Sequence, residues 1–191
     1  MIKAAGYGIR AGSFLLLVGL ALLPASARPP TDPLQEYSVK AALLFNIAKY
    51  TDWPADTFAR PDDPIIIGVL GDDPFGQVLD RVVKGRLIKG HPILIRRASG
   101  IAPLQGAHLV FVSASQPQAP QDCAALEKAR ILTVGDTEFS EPYTAVSFSM
   151  DGDKVAFSVD LTRSLRTGAR ISSQLLRFAK RVKRGDDLVV Q

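Results

Sequence analysis

The sequence predicts an α/β fold, a single-domain Rossmann-like sandwich in which helices flank a mixed sheet of about six strands. Two observations lead to this prediction. Short apolar runs alternate with segments of helical periodicity, as in proteins built from strand–helix–strand units. Towards the C-terminus, two alternating segments flank Asp151-Gly152-Asp153, a pattern typical of a β-hairpin, and a long helix is expected after that hairpin.

The predicted strands are apolar segments bounded by turn residues. Residues 65–70 form a continuous apolar run between Pro64 and Gly71, which is typical of a buried parallel strand. In the hairpin, one face of the first strand should lie beside one face of the second, and these faces consist of Val146, Phe148, Met150, Val155, Phe157 and Val159. The six strands are expected over residues 65–70, 92–96, 109–112, 131–134, 145–150 and 154–159.

Capping residues mark the predicted helices. Asp32 and Pro33 are suited to the N-cap and the first position of a helix over residues 34–50. A second helix is expected from the Asp73-Pro74 pair to Gly85, and a third over residues 120–129. The last helical region begins after Asp160, is interrupted at Gly168 and runs to about residue 182, which leaves residues 185–191 as a flexible tail.

The N-terminus has the pattern of an export signal. Lys3 and Arg10 precede an apolar run that is too short to cross a bilayer, and Ala25-Ser26-Ala27 matches a cleavage site. We therefore expect a signal peptide over residues 1–27, cleavage after Ala27, a loose segment over residues 28–33, and a periplasmic protein. The chain has one Cys, so no internal disulfide can form, and an exported protein is not expected to bind nucleic acid.

Residues that could carry chemistry are few and scattered. With two His and one Cys, no metal site is expected. Asp72 and Asp73 follow a strand, but two carboxylates would repel a phosphate, and they are interpreted as a loop and a helix cap. The candidates for a nucleophile and a base are Cys123, Ser172, Ser173, His91 and His108, for which we favour structural roles.

Two groups of residues are candidate partner contacts. The first helix is apolar on two sides, and its second side (Val39, Leu43, Ile47) can either enter the core or meet a second chain. Arg170, Arg177 and Arg181 form a basic edge of the last helical region, where they either end the helix in solvent or face an acidic partner or an anionic lipid surface.

Trp53 is the third candidate contact, and it is the only Trp in the chain. Pro54 forces residue 53 into an extended conformation after the first helix. The indole then either packs over the end of that helix or serves as a contact for a partner or a small ligand.

Six segments occur in an order found in one known family: FNIAKYTDWP, IIIGVLGDDPFG, HLVFVS, ILTVGDTEFS, VSFSMDGDKVAFSVDL and GARISSQLLRFAK. In this order they resemble the YfiR family of periplasmic regulators, and we assign a YfiR-like domain to residues 34–184. The resemblance implies a protein without a cofactor or enzymatic activity. It implies that the protein binds and represses the periplasmic domain of an inner-membrane diguanylate cyclase, YfiN, which lowers cyclic di-GMP and biofilm formation. An outer-membrane lipoprotein, YfiB, and a homodimer are further implied partners.

The chain departs from the resemblance at three places. Relatives carry Cys where Gly68 and Ala107 stand, so control through that disulfide is excluded here. Relatives have Gly-Gly where residues 141–144 stand, and an acidic residue where Ser158 stands. The last two differences leave the partner open, because charges near a contact set specificity.

Two other functions remain open from the sequence. One is a periplasmic sensor or carrier of a small molecule that serves another membrane system. The other is a small periplasmic hydrolase, which would need one of the candidate nucleophiles beside His91 or His108.

Overall fold

The computed structural model describes residues 32–185 and 187–190. The predicted signal peptide, its cleavage after Ala27 and residues 28–31 of the predicted loose segment lie outside the described residues. In the described part, Asp32 caps a helix and Pro33 is its first residue.

The described residues form five α-helices and eleven β-strands in an α/β arrangement. The helices are α1 (Pro33–Lys49), α2 (Gln77–Val83), α3 (Ala119–Lys128), α4 (Leu161–Arg166) and α5 (Ser173–Leu176). The strands are β1 (Thr51–Asp52), β2 (Ile65–Leu70), β3 (Leu87–Ile88), β4 (His91–Ala98), β5 (Leu109–Val112), β6 (Leu132–Gly135), β7 (Val146–Asp151), β8 (Lys154–Asp160), β9 (Arg170–Ile171), β10 (Arg181–Arg184) and β11 (Asp187–Val190).

Nine of these strands form one mixed sheet in the order β11-β10-β8-β7-β6-β5-β2-β4-β3. The central strands β4, β2, β5, β6 and β7 are parallel. β8 is antiparallel to β7, β10 is parallel to β8, and β11 and β3 are antiparallel additions at the two edges. β1 and β9 form a separate two-stranded sheet.

The prediction of a mixed α/β fold is confirmed, but the number of strands is larger than predicted. All six predicted strands are present, with shifts of a few residues at their ends. The five additional strands are short or lie late in the chain. Two-residue strands such as β1, β3 and β9 show no alternation that a sequence pattern could detect.

The predicted long helix after the hairpin is wrong. Gly168 has a φ of 82°, a left-handed conformation that ends α4. Ser172 then caps the four-residue α5 by accepting the N–H of Gln174. The chain next joins the sheet, where the Lys180 N–H donates to the Phe157 carbonyl at 2.8 Å, and β10 runs beside β8. Residues 187–190 form β11, where the sequence predicts a flexible tail.

Helices cover both faces of the sheet. In β5, Leu109 and Phe111 belong to a core cluster that contains residues of α1 and α2. Val110 and Val112 belong to a second cluster that contains Cys123 and Leu126 of α3. Because successive side chains of a strand point to opposite faces, α1 and α2 lie on one face and α3 lies on the other.

The hairpin register agrees with the predicted shared face. Val146 pairs with Val159, Phe148 with Phe157, and Met150 with Val155. The alternating positions, Ser147, Ser149 and Ser158, belong to the opposite face. The hairpin therefore presents its apolar face to the side of the sheet on which α1 lies.

Candidate interaction surface

A buried ionic cluster fixes the first half of α1. The Lys40 ammonium donates to the Asp136 carboxylate at 2.8 Å and to the Asp136 carbonyl at 2.9 Å, and it pairs with Glu36 at 2.6 Å. The Tyr37 hydroxyl donates to the same carboxylate at 3.1 Å, and burial together with Asp136 raises the pKa of Tyr37. Asp136 follows β6, so the cluster ties α1 to the end of a central strand.

The second half of α1 is fixed by the chain that follows it. Thr51 and Asp52 of β1 pair with Ile171 and Arg170 of β9. The Ser172 N–H donates to the Tyr50 carbonyl at 2.8 Å. The end of α1 and the start of α5 are therefore held side by side.

A groove of about 740 Å³ lies between α1, the β7–β8 hairpin and α5. We call it the α1 groove. Its floor and walls are mainly apolar, and its rim is charged. It is lined by Leu43, Asn46, Tyr50, Asp151, Lys154, Val155, Ala156, Phe157, Gln174, Leu175, Arg177 and Phe178.

The most exposed apolar side chain of the α1 groove is Phe178, which is 78% exposed. Its neighbours Arg177 and Lys154 are exposed cations without an ion-pair partner among the described residues. Asp151, by contrast, pairs with Lys180 at 2.9 Å. Aromatic residues and arginines are enriched at protein-binding surfaces.

The structure separates the three predicted contacts on α1. Leu43 is half-buried and lines the α1 groove. Val39 is 41% exposed on the helix surface. Ile47 is fully buried in the core cluster, so its side chain is a packing residue and is not available to a partner.

The predicted basic edge is not one edge. Because the long helix is absent, its three arginines lie on different elements. Arg170 is exposed in β9, and Arg177 follows α5 and lines the α1 groove. Arg181 lies in β10, where its guanidinium pairs with Glu141 and its Nε lies 3.4 Å from the Ser158 hydroxyl. Of the three, the structure brings only Arg177 together with Leu43.

Trp53 packs against the core cluster and also lines a second, smaller cleft with His108. Its ring meets the His108 ring edge-on, with centroids 5.7 Å apart. Trp53 is not among the residues of the α1 groove. The structure thus places the sequence candidates at more than one surface.

The candidate nucleophiles have structural contacts. Cys123 is fully buried, and burial raises its pKa to about 12, so its thiol is protonated at neutral pH. The Ser172 hydroxyl accepts the N–H of Gln174 in the cap of α5. In the described part of the chain, no hydrogen bond joins a Ser or Cys side chain to either His.

The two His side chains enclose an aromatic ring. Phe58 stacks on His91 with centroids 3.9 Å apart and on His108 with centroids 5.0 Å apart. Over residues 32–185 and 187–190, no group of three His, Cys, Asp or Glu side chains is placed to hold a metal ion. Of the helices in these ranges, none combines the length and the apolar character that a membrane span requires.

Sequence reasoning missed Phe178 and the hairpin side chains of the α1 groove. The sequence predicts a long helix that includes Phe178, and an aromatic residue inside such a helix is not by itself a sign of a contact surface. Its position between Arg177 and Lys180, in a segment with few other aromatic residues, is the signal that could have drawn attention to it.

Comparison with known proteins settles the family. Residues 37–180 match the sequence model of a family described as YfiR/HmsC-like. The chain belongs to the YfiR/HmsC-like family. The match confirms the resemblance seen in the sequence.

Solved structures support the fold. Eight of their chains match this protein. One is the crystal structure of a conserved domain protein from Vibrio cholerae O1 biovar El Tor strain N16961, with a TM-score of 0.52 and 12% sequence identity. The alignment covers 77% of this chain and 60% of that chain, so the present protein spans less than two thirds of its relative. A search of the curated proteins found no match.

Proposed function

We propose that this YfiR/HmsC-like protein is a periplasmic regulator without enzymatic activity that binds the periplasmic domain of an inner-membrane diguanylate cyclase. Binding holds the cyclase inactive, which lowers cyclic di-GMP and biofilm formation. The observation that supports the proposal is the family match over residues 37–180. The proposed cleavage after Ala27 rests on the sequence pattern. The cyclase partner and its repression rest on the family resemblance.

Repression by binding needs a difference in affinity between two states of the cyclase. A regulator that bound the active and inactive states equally would shift nothing, however tightly it bound. Each factor of ten in this difference corresponds to about 1.4 kcal/mol. The contact surface must therefore recognise a shape or charge that the cyclase presents in its inactive state.

We place the cyclase contact at the α1 groove. Phe178 offers a large exposed ring, and Leu43, Tyr50 and Val155 supply partly buried apolar surface beside it. Aromatic rings that become buried at the centre of an interface contribute much of its binding energy. Val39 is 41% exposed and precedes Leu43 by four positions, so it lies on the same face of α1.

The charge of the α1 groove favours an acidic partner surface. Arg177 and Lys154 carry exposed positive charges that no described residue pairs with. An acidic patch on the cyclase would pair with them, increase the association rate, and fix the orientation of the complex. We expect binding to weaken as the salt concentration rises.

Two further partners belong to the same proposal. An outer-membrane lipoprotein would bind the regulator and relieve repression, and the regulator would form a homodimer. Co-purification with the lipoprotein and the mass of the purified protein test these two parts separately from the cyclase contact.

The test of the proposal has two arms. Deleting the gene should raise cellular cyclic di-GMP, and the purified periplasmic domain of the cyclase should capture the protein. The matched control is a deletion strain that carries the gene back on a plasmid, in which the cyclic di-GMP level should return to normal. Unchanged cyclic di-GMP together with no capture would overturn the proposal.

A further inference from the structure

One edge of the large sheet lies in a basic stretch of the chain that contains no acid. Residues 81–121 include six Lys or Arg and no Asp or Glu. All six cations lie between residues 81 and 97, in α2, in β4 and in the turns on either side of β3. We call residues 84–96, which contain β3 and most of β4 at the margin of the sheet, the β3–β4 edge.

Most of these positive charges are uncompensated. Lys89 and Arg97 pair with carboxylates. Among the described residues, the other four cations have no ion-pair partner: Arg81, Lys84, Arg86 and Arg96. Arg96 donates to the carbonyls of Pro103 and Gln105 at 3.1 and 2.9 Å, which hold its guanidinium in place without cancelling its charge. The β3–β4 edge therefore has a positive potential and no acidic side chain of its own.

An exposed apolar strip runs along the same edge. Leu87 pairs with Pro92 in the antiparallel β3–β4 ladder, and Leu94 is two positions further along β4. Residues that are directly opposed in a ladder, and residues two apart in one strand, point to the same face of a sheet. Leu87 is 62% exposed, Leu94 is 46% exposed, and Pro92 between them is exposed as well. The three side chains thus form a continuous apolar strip that faces solvent.

The combination of exposed aliphatic side chains and uncompensated cations matches the surface of an anionic bilayer. Cations attract the phosphates of lipid headgroups, and aliphatic side chains enter the boundary between headgroups and acyl chains. No exposed residue of the β3–β4 edge is aromatic, whereas the centres of protein interfaces are rich in Trp and Tyr. The α1 groove, by contrast, presents the ring of Phe178. The composition of the β3–β4 edge therefore favours a lipid surface over a protein.

We propose that the β3–β4 edge binds the surface of a bilayer that contains anionic phospholipids. Lys84, Arg86 and Arg96 attract the headgroup phosphates, and Leu87 enters the boundary region beneath them. The turn that joins β3 to β4 has two residues with left-handed backbone, Lys89 at a φ of 53° and Gly90 at 91°, so Leu87 is held by a tight hairpin. The proposal does not depend on the cyclase as partner, since these residues lie outside the α1 groove.

The test uses the purified protein and vesicles, without the cyclase. Co-sedimentation is measured with vesicles that contain phosphatidylglycerol and phosphatidylcholine, and with vesicles of phosphatidylcholine alone. We expect the protein to bind the vesicles with phosphatidylglycerol, to bind them less as the sodium chloride concentration rises, and not to bind phosphatidylcholine alone. No binding to the anionic vesicles at low salt, or equal binding to both kinds of vesicle, would overturn the proposal.

A pair of double variants separates this edge from the net charge of the protein. Each cation near an anionic bilayer strengthens binding about fivefold, so Lys84→Gln with Arg86→Gln should weaken vesicle binding about 25-fold. The matched control is Lys183→Gln with Arg184→Gln, which removes the same charge from two exposed positions of β10. The control should weaken binding much less. Equal losses in the two double variants would contradict the proposed surface.

The apolar part of the contact is tested with Leu87→Ser. We expect about fivefold weaker binding to the anionic vesicles and an unchanged melting temperature, because the side chain is exposed. Leu165→Ser, at a position of α4 that is 56% exposed, is the control and should bind normally. Normal vesicle binding by Leu87→Ser would contradict the proposal. Polyglutamate is the probe for an acidic protein: if it binds the edge and the vesicles do not, the edge belongs to a protein partner and the proposal is wrong.

Discussion

The two sides of α1 differ in how completely the molecule covers them. On one side, Lys40, Leu44 and Ile47 are buried against the sheet, and even the charged residue has its partners. On the other side, Leu43 lines an open groove beside the exposed ring of Phe178. One helix therefore carries residues that hold the fold together and residues that are free to bind. Substitutions on the two sides should separate stability from partner binding.

The largest loss of stability is expected from Lys40→Ala. Removing the ammonium leaves the Asp136 carboxylate buried without its cation, and breaking a buried pair in this way costs about 3–5 kcal/mol. Urea unfolding followed by circular dichroism measures the change. Lys49→Ala on the same helix is the control, since Lys49 is exposed and should change stability by less than about 0.5 kcal/mol. Equal stability of the two variants would refute the role of the buried cluster.

The next loss is expected from Ile47→Ala. The side chain is fully buried, and such truncations cost about 2–5 kcal/mol because they leave a cavity. Val39→Ala, eight positions earlier on the same helix, removes an exposed side chain and should cost less than about 0.5 kcal/mol. The same unfolding assay compares the two. If Val39→Ala were the more damaging, the assignment of the two sides of α1 would be wrong.

A smaller effect is expected from pH. Folding lowers the pKa of His108 from 6.5 to about 4, because burial and the neighbouring His91 disfavour its charged form. Between these values the unfolded chain binds more protons than the folded one, so the free energy of unfolding decreases as the pH falls from about 6.5 towards 4.

The variant His108→Asn measures this contribution. Over the range from about pH 7 to pH 5, the unmodified protein should lose on the order of 1–2 kcal/mol more stability than the variant. Urea midpoints at several pH values give both curves. Parallel curves would mean that His108 titrates in the folded protein as it does in the unfolded chain.

Much of the fold could be predicted because its strands are apolar and its helices are capped. The six central and hairpin strands, α1 with its Asp32 cap, and the shared face of Phe148 and Phe157 all follow from local patterns. The C-terminal segment could not be predicted in the same way. The pairing of β10 with β8 depends on long-range hydrogen bonds, such as that from the Lys180 N–H to the Phe157 carbonyl, which leave little trace in local periodicity.

The candidate surfaces were harder to predict than the fold. The sequence predicts Leu43 and Arg177 as candidates, but their proximity depends on the break at Gly168, after which β9 pairs with β1 at the end of α1. Ile47 continues the four-residue spacing of Val39 and Leu43 along α1, so the sequence groups it with them. Its side chain is nevertheless fully buried in the core. The partners of Lys40 and the juxtaposition of Trp53 with His108 join residues far apart in the sequence, so no local signal announces them.

The central claim is that the α1 groove binds the cyclase, and one pair of variants tests it directly. Phe178 and Phe139 are exposed to nearly the same extent, 78% and 79%, but Phe139 does not line the groove. The affinity of the purified periplasmic domain of the cyclase for Phe178→Ser and for Phe139→Ser can be measured by calorimetry. We expect Phe178→Ser to weaken binding at least tenfold, with a melting temperature close to that of the unmodified protein, and Phe139→Ser to bind normally. Normal binding by Phe178→Ser, or equal losses in the two variants, would contradict the account.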